Sequence, residues 1–176
     1  MRYFFASTLL LLVLGVPSSM GTPAALPAPV APVLDAPALS RAVATKYKLD
    51  LRAASDYVHN IFKYARVYKQ DPVLMVSVAG VESSFQPTAK SHKGAVGLMQ
   101  VMPKVHTTML RKAGLDLLHP EDNIHAGIRV YRDAAKRSET VVEALQRYNG
   151  NLKDKNARYA RKVLAVQNKL HQLALN

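Results

Sequence analysis

One carboxylate in this chain has the surroundings expected of an acid catalyst. Glu82 is the only acidic residue between Asp71 and Asp116, and it ends the most apolar segment, with VSVAGV before it and SSF after it. Poor solvation of a carboxyl group disfavours its anion and raises its pKa. A position at the negative end of a helix dipole acts in the same direction. The sequence therefore predicts a carboxyl group that stays protonated near neutral pH, as a general acid for an alkoxide leaving group must.

A helix has to position this carboxylate. Asp71 followed by Pro72 is typical of an N-cap and a first helical residue. The helix that they predict runs to about Ser83 and is apolar nearly all round, which is typical of a helix in the middle of a domain. On this evidence alone, Glu82 is either a buried acid or an ordinary helix-terminal glutamate that emerges into water.

The rest of the chain from Leu39 onward also has a helical period, and no alternating stretch is long enough to predict a strand. The period is broken from Ser84 to Val101, where Pro87, Gly94 and Gly97 interrupt it. We therefore predict an all-α fold with at most a small β-like excursion in that loop. The other predicted helices cover about residues 50–69, 103–114, 121–137, 140–148 and 156–173.

Composition limits the possible chemistry and partners. The chain has no cysteine, which excludes disulfides, thiolate metal sites and a cysteine nucleophile. It has 24 Lys and Arg against 12 Asp and Glu, a formal net charge of +12. Such a balance favours acidic partners, meaning nucleic acid, an anionic membrane or an anionic cell-wall polymer.

The N-terminal sequence argues for export. Residues 1–22 are interpreted as a signal peptide, because Arg2 precedes an almost unbroken apolar run and small residues follow it. The run is shorter than the roughly 20 residues of a comfortable membrane-spanning helix, although an uncleaved anchor is the alternative. Residues 23–38 are predicted to be a Pro/Ala-rich tether, and residues 39–176 the folded domain. We expect a periplasmic or extracellular bacterial protein with no integral membrane segment after signal cleavage.

Three segments resemble a known family. The segment ESSFQPTAKSHKGAVGLMQVMP (Glu82 to Pro103) resembles the signature of the soluble lytic transglycosylase (SLT) domain, which is related to goose-type lysozyme. NIHAGIRVY (Asn123–Tyr131) and ALQRYNG (Ala144–Gly150) resemble two further elements of that family. The resemblance implies a lysozyme-like helical domain with a substrate cleft and no cofactor.

The same resemblance implies a reaction. It implies cleavage of the β-1,4 bond between N-acetylmuramic acid and N-acetylglucosamine in peptidoglycan. In the family, the glutamate at the position of Glu82 protonates the leaving oxygen and then acts as base, while the C6 hydroxyl of muramic acid closes a 1,6-anhydro ring. A nucleophile tethered to the substrate reduces the need for a second carboxylate, which ordinary glycosidases hold about 5–9.5 Å from the first. Whether Asp116, Glu121 or Asp122 returns to the site through the fold is left open.

Further site residues follow from the resemblance alone. It implies that the Tyr148 hydroxyl lies near the catalytic carboxyl group, although an ordinary helix-end tyrosine is the alternative. Arg147 departs from the family pattern and is a candidate contact for an acidic group of the substrate. Met99 and Met102 lie in the motif, and the alternative for both is that they are simple core residues. The implied substrate-binding residues are Ser83, which is also expected to fix the turn after Glu82, Ser91, Gln100, Met102, Tyr148 and Asn149, with Gly94 and Gly97 as structural residues of the motif.

Several competing functions were weighed against this one. The six histidines form no tight ligand set, and His119 and His125 are six residues apart, so we predict no metal site. A secreted nucleic-acid binder is disfavoured because no platform of aromatic and basic residues is evident. The alternatives that remain are a lysozyme-type hydrolase of the same bond and a non-catalytic peptidoglycan-binding module of a secretion apparatus. The expected protein is a monomer that acts on glycan strands, with a secretion or envelope-spanning machine as a candidate partner.

Overall fold

The computed structural model describes residues 34–175, and this part of the chain consists of α-helices with no β-strand. Isolated antiparallel bridges pair Lys90 with Val96 and Val96 with Val101 in the loop between the third and fourth helices. The predicted all-α fold with a small β-like excursion is therefore confirmed. The helices are α1 (Ala36–Tyr47), α2 (Leu51–Tyr68), α3 (Pro72–Ser83), α4 (Pro103–Ala113), α5 (Pro120–Ala135), α6 (Val141–Tyr148) and α7 (Arg158–Leu175).

Local capping signals set most helix ends where the sequence predicted them. The Asp71 side chain accepts a hydrogen bond from the Val73 amide (2.8 Å) at the start of α3. Asp50 begins α2 and Thr140 begins α6 in the same way. Gly114 ends α4 with a left-handed φ of 64°. A side-chain oxygen at an N-cap satisfies an amide that has no partner within the helix, so these residues define the ends locally.

The first helix starts earlier than expected. The Asp35 side chain accepts a hydrogen bond from the Ala38 amide (2.7 Å), and α1 begins at Ala36 with Pro37 in its first turn. Leu34 is buried in the core. Residues 34–38, which were expected to end the tether, thus belong to the helical unit, because Asp-Ala-Pro is a helix start within a Pro/Ala-rich stretch. The predicted signal peptide and residues 23–33 of the tether lie outside the described residues.

Helix α3 lies at the centre of the core, as its composition predicted. Its residues from Leu74 to Gly80 are all buried, and it packs against α2 and α7. The one hydroxyl group in that run, on Ser77, donates to the Val73 carbonyl (2.7 Å). Its C-terminal turn, which carries Glu82, is therefore held rigidly by the core. Among residues 34–175, no helix is long and apolar enough to cross a membrane.

Candidate active site

A cleft of about 430 Å³ opens at the C-terminal end of α3. It brings together parts of the chain that are distant in sequence, namely the end of α3, the loop before α4, α4 itself, one side of α5 and the end of α6. Six residues implied by the family resemblance line it. They are Glu82, Ser91, Gln100, Met102, Tyr148 and Asn149, and the other lining residues are Lys93, Ala95, Val101, His106, Val130 and Gly150.

Glu82 lies at the inner wall of this cleft, half-buried in the last turn of α3. Burial raises the pKa of its carboxyl group above the ordinary value of 4.5. A hydrogen bond from Tyr159 and the positive charge of Lys162 act in the opposite direction but do not cancel the effect of burial. A proton held more tightly than usual in a cleft is what acid catalysis requires.

Tyr159 is the side chain that contacts this carboxyl group directly. Its hydroxyl group donates to Glu82 Oε1 at 2.5 Å. Burial, followed by the charge of Glu82, raises the pKa of Tyr159, so the hydroxyl group keeps its proton and remains a donor. Tyr159 lies outside the three segments that resemble the family, so the sequence alone does not identify it as a site residue.

Tyr148 lines the cleft but makes a different hydrogen bond. Its hydroxyl group donates to the Met99 carbonyl at 2.6 Å, and its ring packs edge-on against Tyr131 with the ring centroids 6.1 Å apart. Burial and the nearby charge of Glu82 raise the pKa of Tyr148 well above 10. The charge of Glu82 thus acts on the Tyr148 hydroxyl group, whereas the hydrogen bond to the carboxyl group comes from Tyr159.

The turn that follows Glu82 is unusual for non-glycine residues. Ser84 and Phe85 both have left-handed backbones, with φ of 51° and 62°. Such conformations cost on the order of 1–3 kcal/mol each and persist where the surroundings impose them. Here the Phe85 ring is buried and packs between Tyr47 and Tyr57. The apolar anchor at Phe85 therefore fixes the direction in which the chain leaves the catalytic helix.

Ser83 strengthens the same turn and does not line the cleft. Its hydroxyl group donates to the Leu98 carbonyl at 2.8 Å, which ties the end of α3 to the following loop. The implied role in fixing the turn agrees with this geometry. The implied contact with substrate does not, because the hydroxyl group is directed to the loop backbone.

Two other polar side chains implied to bind substrate also organise the loop. Ser91 Oγ accepts from the Ala95 amide (3.0 Å). The Gln100 side-chain amide donates to the carbonyls of Ala89 (3.1 Å) and Gly97 (3.0 Å). Both residues line the cleft. They therefore combine a structural role in the loop with a position that substrate can reach.

The two glycines of the motif lie in the loop and not on the cleft wall. Gly94 and Gly97 have φ of 85° and 78°, a region that favours glycine. At Gly97 space is limiting as well, since an added Cβ would lie 2.0 Å from the side-chain nitrogen of Asn123. At Gly94 nothing lies within 4 Å, so only the backbone conformation matters there.

Asn123 explains why Gly97 must have no side chain. It is almost fully buried, and its Oδ1 accepts from the Met99 amide at 2.8 Å. Its Nδ2 donates to the carbonyls of Val96 (2.9 Å) and Leu117 (3.0 Å). One side chain of α5 therefore fixes the backbone of the loop that forms the cleft.

The structure gives different environments to Met99 and Met102, which the sequence could not assign to the core or to the cleft. Met99 is fully buried and fits against Gly127 of α5, where a Cβ would lie 2.4 Å from the Met99 Cβ. Met102 is half-buried and lines the cleft. Met99 is thus a core residue whose backbone serves the site, and Met102 is in a position to contact a ligand.

Arg147, the candidate contact for an acidic group of the substrate, lies outside the cleft lining and is paired on its own helix. Its guanidinium group binds Glu143 at 2.7 Å and Ser138 at 3.2 Å, and it is not among the described residues that line the cleft. The pairing is local, one helical turn back along α6, so the charge is already neutralised.

The three acids that the sequence could not place lie elsewhere. Glu121 accepts from Lys63 and from Tyr64, each at 2.8 Å, and Asp122 accepts from the Asp116 amide at 3.0 Å. Of the described residues that line the cleft, Glu82 alone carries a carboxyl group. Within residues 34–175, no group of three or more histidine or acidic side chains is arranged to hold a metal ion.

The raised pKa of Glu82 has a consequence for stability that can be measured without any substrate. A carboxyl group whose pKa is higher in the folded than in the unfolded state makes folding less favourable as pH rises. The free energy of unfolding of the wild type, compared with that of Glu82→Gln, is therefore expected to fall as pH rises from 4.5 to the pKa of Glu82 in the folded state. Above that pKa, the difference between the two chains should be constant. Urea denaturation of both chains at a series of pH values measures this; a difference independent of pH would contradict the burial argument.

Comparison with known proteins yields one family. The model of the family described as transglycosylase SLT domain matches residues 59–168. The match contains the whole cleft, from Glu82 to Gly150, and also Tyr159.

Individual relatives carry related names. A protein named "Transglycosylase" from Enterobacteria phage PRD1 is 35% identical over 89 residues, covering 51% of this chain and 32% of its own length. "Membrane-bound lytic murein transglycosylase C" of Haemophilus influenzae (strain PittEE) is 40% identical over 85 residues, covering 43% of this chain and 23% of its own. The protein of that name from Actinobacillus pleuropneumoniae serotype 5b (strain L20) is 34% identical over 82 residues, 42% of this chain and 22% of its own. The chain thus spans about a third or less of the length of these curated relatives.

Proposed function

Because the chain belongs to the transglycosylase SLT domain family, we propose that it is a peptidoglycan lytic transglycosylase with Glu82 as its single catalytic carboxyl group. One observation carries the proposal. A half-buried carboxyl group of raised pKa lies in a cleft whose other described lining residues include no acid. A conventional glycosidase needs a second carboxylate about 5–9.5 Å from the first. A substrate that supplies its own nucleophile has no such need.

In the proposed reaction, the proton of Glu82 passes to the glycosidic oxygen between N-acetylmuramic acid and N-acetylglucosamine. The bond from that oxygen to C1 of the muramic acid breaks, and its electron pair stays with the departing N-acetylglucosamine. The C6 oxygen of the same muramic acid bonds to C1 and closes the 1,6-anhydro ring. Its hydroxyl proton passes to Glu82, which restores the acid, and no water is consumed. Because the nucleophile belongs to the substrate, its effective concentration is very high.

The electrostatics of the cleft suit both steps. Burial keeps the proton on Glu82 until the leaving oxygen is in place, and the Tyr159 hydroxyl group stabilises the carboxylate that forms once the proton has left. Tyr159 is therefore a positioning residue in this proposal. We propose that Ser91, Gln100, Met102, Tyr148 and Asn149 bind the sugars, since each lines the cleft beside Glu82.

The charge of the chain and its N-terminal sequence fit an extracytoplasmic substrate. A formal charge of +12 favours association with an anionic cell wall. Residues 1–22 as a signal peptide and residues 23–33 as a tether remain predictions. So do the monomeric state and a secretion or envelope-spanning machine as partner.

Product mass tests the reaction directly. The wild-type chain, incubated with purified sacculi, is expected to release muropeptides that end in 1,6-anhydromuramic acid. Each would be lighter by one water molecule than the product of a hydrolase, and mass spectrometry resolves this difference. Products with reducing muramic acid ends would identify a lysozyme-type hydrolase and would reject the proposed nucleophile.

A further inference from the structure

Lys93 is the one lysine or arginine among the described residues that line the cleft. The ionisable lining residues of the cleft are Glu82, Lys93, His106 and Tyr148. Burial lowers the pKa of His106, which favours its neutral form, and burial keeps the proton on Tyr148. No arginine lines the cleft among the described residues. Lys93 is therefore the source of positive charge at the cleft wall.

The ammonium group of Lys93 has no partner within the described part of the chain. The ion pairs there join Lys63 to Glu121, Arg132 to Asp133, Arg147 to Glu143 and Arg158 to Asp154. No hydrogen bond of the Lys93 side chain is present within residues 34–175 either. Arg147, the other basic residue considered for substrate contact, is neutralised by Glu143, whereas Lys93 is free to bind an anion.

A tight turn holds the backbone that carries Lys93. The Gly94 amide donates to the Ser91 carbonyl (2.9 Å). The Ser91 amide donates to the Ala95 carbonyl (2.9 Å), and the Ala95 amide donates in turn to Ser91 Oγ (3.0 Å). Lys93 is within this closed turn and lines the cleft. Lys90 precedes the turn and lines two other grooves instead. The backbone is thus fixed so that one lysine of the loop faces the cleft and the other does not.

The chemistry of the proposed substrate identifies the matching anion. N-acetylated sugar rings of the glycan carry no charge, and the carboxylates of peptidoglycan strands are on the peptide stem attached to the muramic acid. A free ammonium group at the wall of a cleft for neutral sugars therefore fits a stem carboxylate. We infer that Lys93 binds a carboxylate of the peptide stem and makes the enzyme prefer strands with free stem carboxylates over strands whose stem carboxylates are amidated. This inference rests on the proposed function.

The test compares two substrates and two lysines. The ratio of kcat/KM on strands with free stem carboxylates to kcat/KM on the same strands with those carboxylates converted to amides is measured for the wild type, Lys93→Gln and Lys90→Gln. Removal of the stem by an amidase is avoided, because it would expose a new carboxylate on the lactyl group of each muramic acid. Lys93→Gln is expected to lower this ratio about two- to fivefold, the range for one exposed ion pair, mainly through a higher KM for strands with free stem carboxylates. Lys90→Gln removes the same charge from the same loop and should leave the ratio unchanged. Raising the salt concentration should reduce the wild-type preference toward that of Lys93→Gln.

The possible failures are distinguishable. An equal loss on both substrates with Lys93→Gln, or an equal effect of Lys90→Gln, would overturn the assignment to Lys93 while the proposed function stands. A wild-type chain that cuts neither substrate would overturn the proposed function. In that case the inference is tested by co-sedimentation of the wild type, Lys93→Gln and Lys90→Gln with the two kinds of strand. A lysine that binds the stem affects binding even when no bond is cut.

Discussion

Replacement of Glu82 by glutamine is expected to lower the rate of muropeptide release from sacculi by about 10³-fold or more. General acid–base catalysis contributes about 10²–10⁴-fold, and in the proposed reaction one group acts first as acid and then as base. Glutamine has nearly the same shape but cannot transfer a proton to the leaving oxygen. Initial rates of soluble product release measure the effect.

Binding must be measured beside that rate. Glu82→Gln should still sediment with sacculi, because the other lining residues of the cleft are intact. The matched control is Glu139→Gln, which makes the same change at an exposed residue outside the cleft and should keep full activity. If Glu82→Gln retains the wild-type rate, the catalytic assignment is wrong. If the wild type binds sacculi but releases nothing, the non-catalytic binding module becomes the better interpretation.

Asn123→Leu is expected to cost about 2–4 kcal/mol of stability. Within residues 34–175, Asn123 is the sole hydrogen-bond partner of the buried Met99 amide and of the Leu117 carbonyl, while the Val96 carbonyl also accepts from the Val101 amide. Leaving a buried donor or acceptor unsatisfied costs about 1–3 kcal/mol. Leucine has the same number and branching of side-chain heavy atoms as asparagine but offers no polar atom. Urea denaturation of the two chains measures the difference.

The same substitution should also affect catalysis. Tyr148 donates to the carbonyl of Met99, whose amide is held by Asn123, so a loosened loop disturbs the cleft wall. The matched control is Asn168→Leu, at an exposed position on α7, where a change within about 0.5 kcal/mol is expected. A comparably small change at Asn123 would show that the loop is held by other contacts.

The elements that the sequence predicted well depend on neighbours close along the chain. Asp71 caps α3 through an amide two residues ahead, and Gly114 ends α4 through its own backbone conformation. The burial of α3 follows from its nearly continuous run of apolar residues. The N-cap and this apolar run together place Glu82 at the end of a buried helix. The start of α1 was missed although its signal is equally local, because the Asp-Ala-Pro start lies within a proline-rich stretch that resembles a tether.

Contacts within the site depend on packing between distant segments, and no local pattern encodes them. Tyr159 reaches Glu82 across 77 residues because α7 packs against α3, and Asn123 reaches Met99 across 24 residues because α5 supports the loop. Arg147 and Lys93 are both basic residues beside motif positions, yet one is paired on its own helix and the other faces the cleft unpaired. Capping and helical period are decided within about four residues of the chain, so the sequence expresses them directly. The packing of the helices decides which hydroxyl group binds the carboxylate and which cation stays unpaired. Both outcomes depend on side chains from elements that are far apart in sequence.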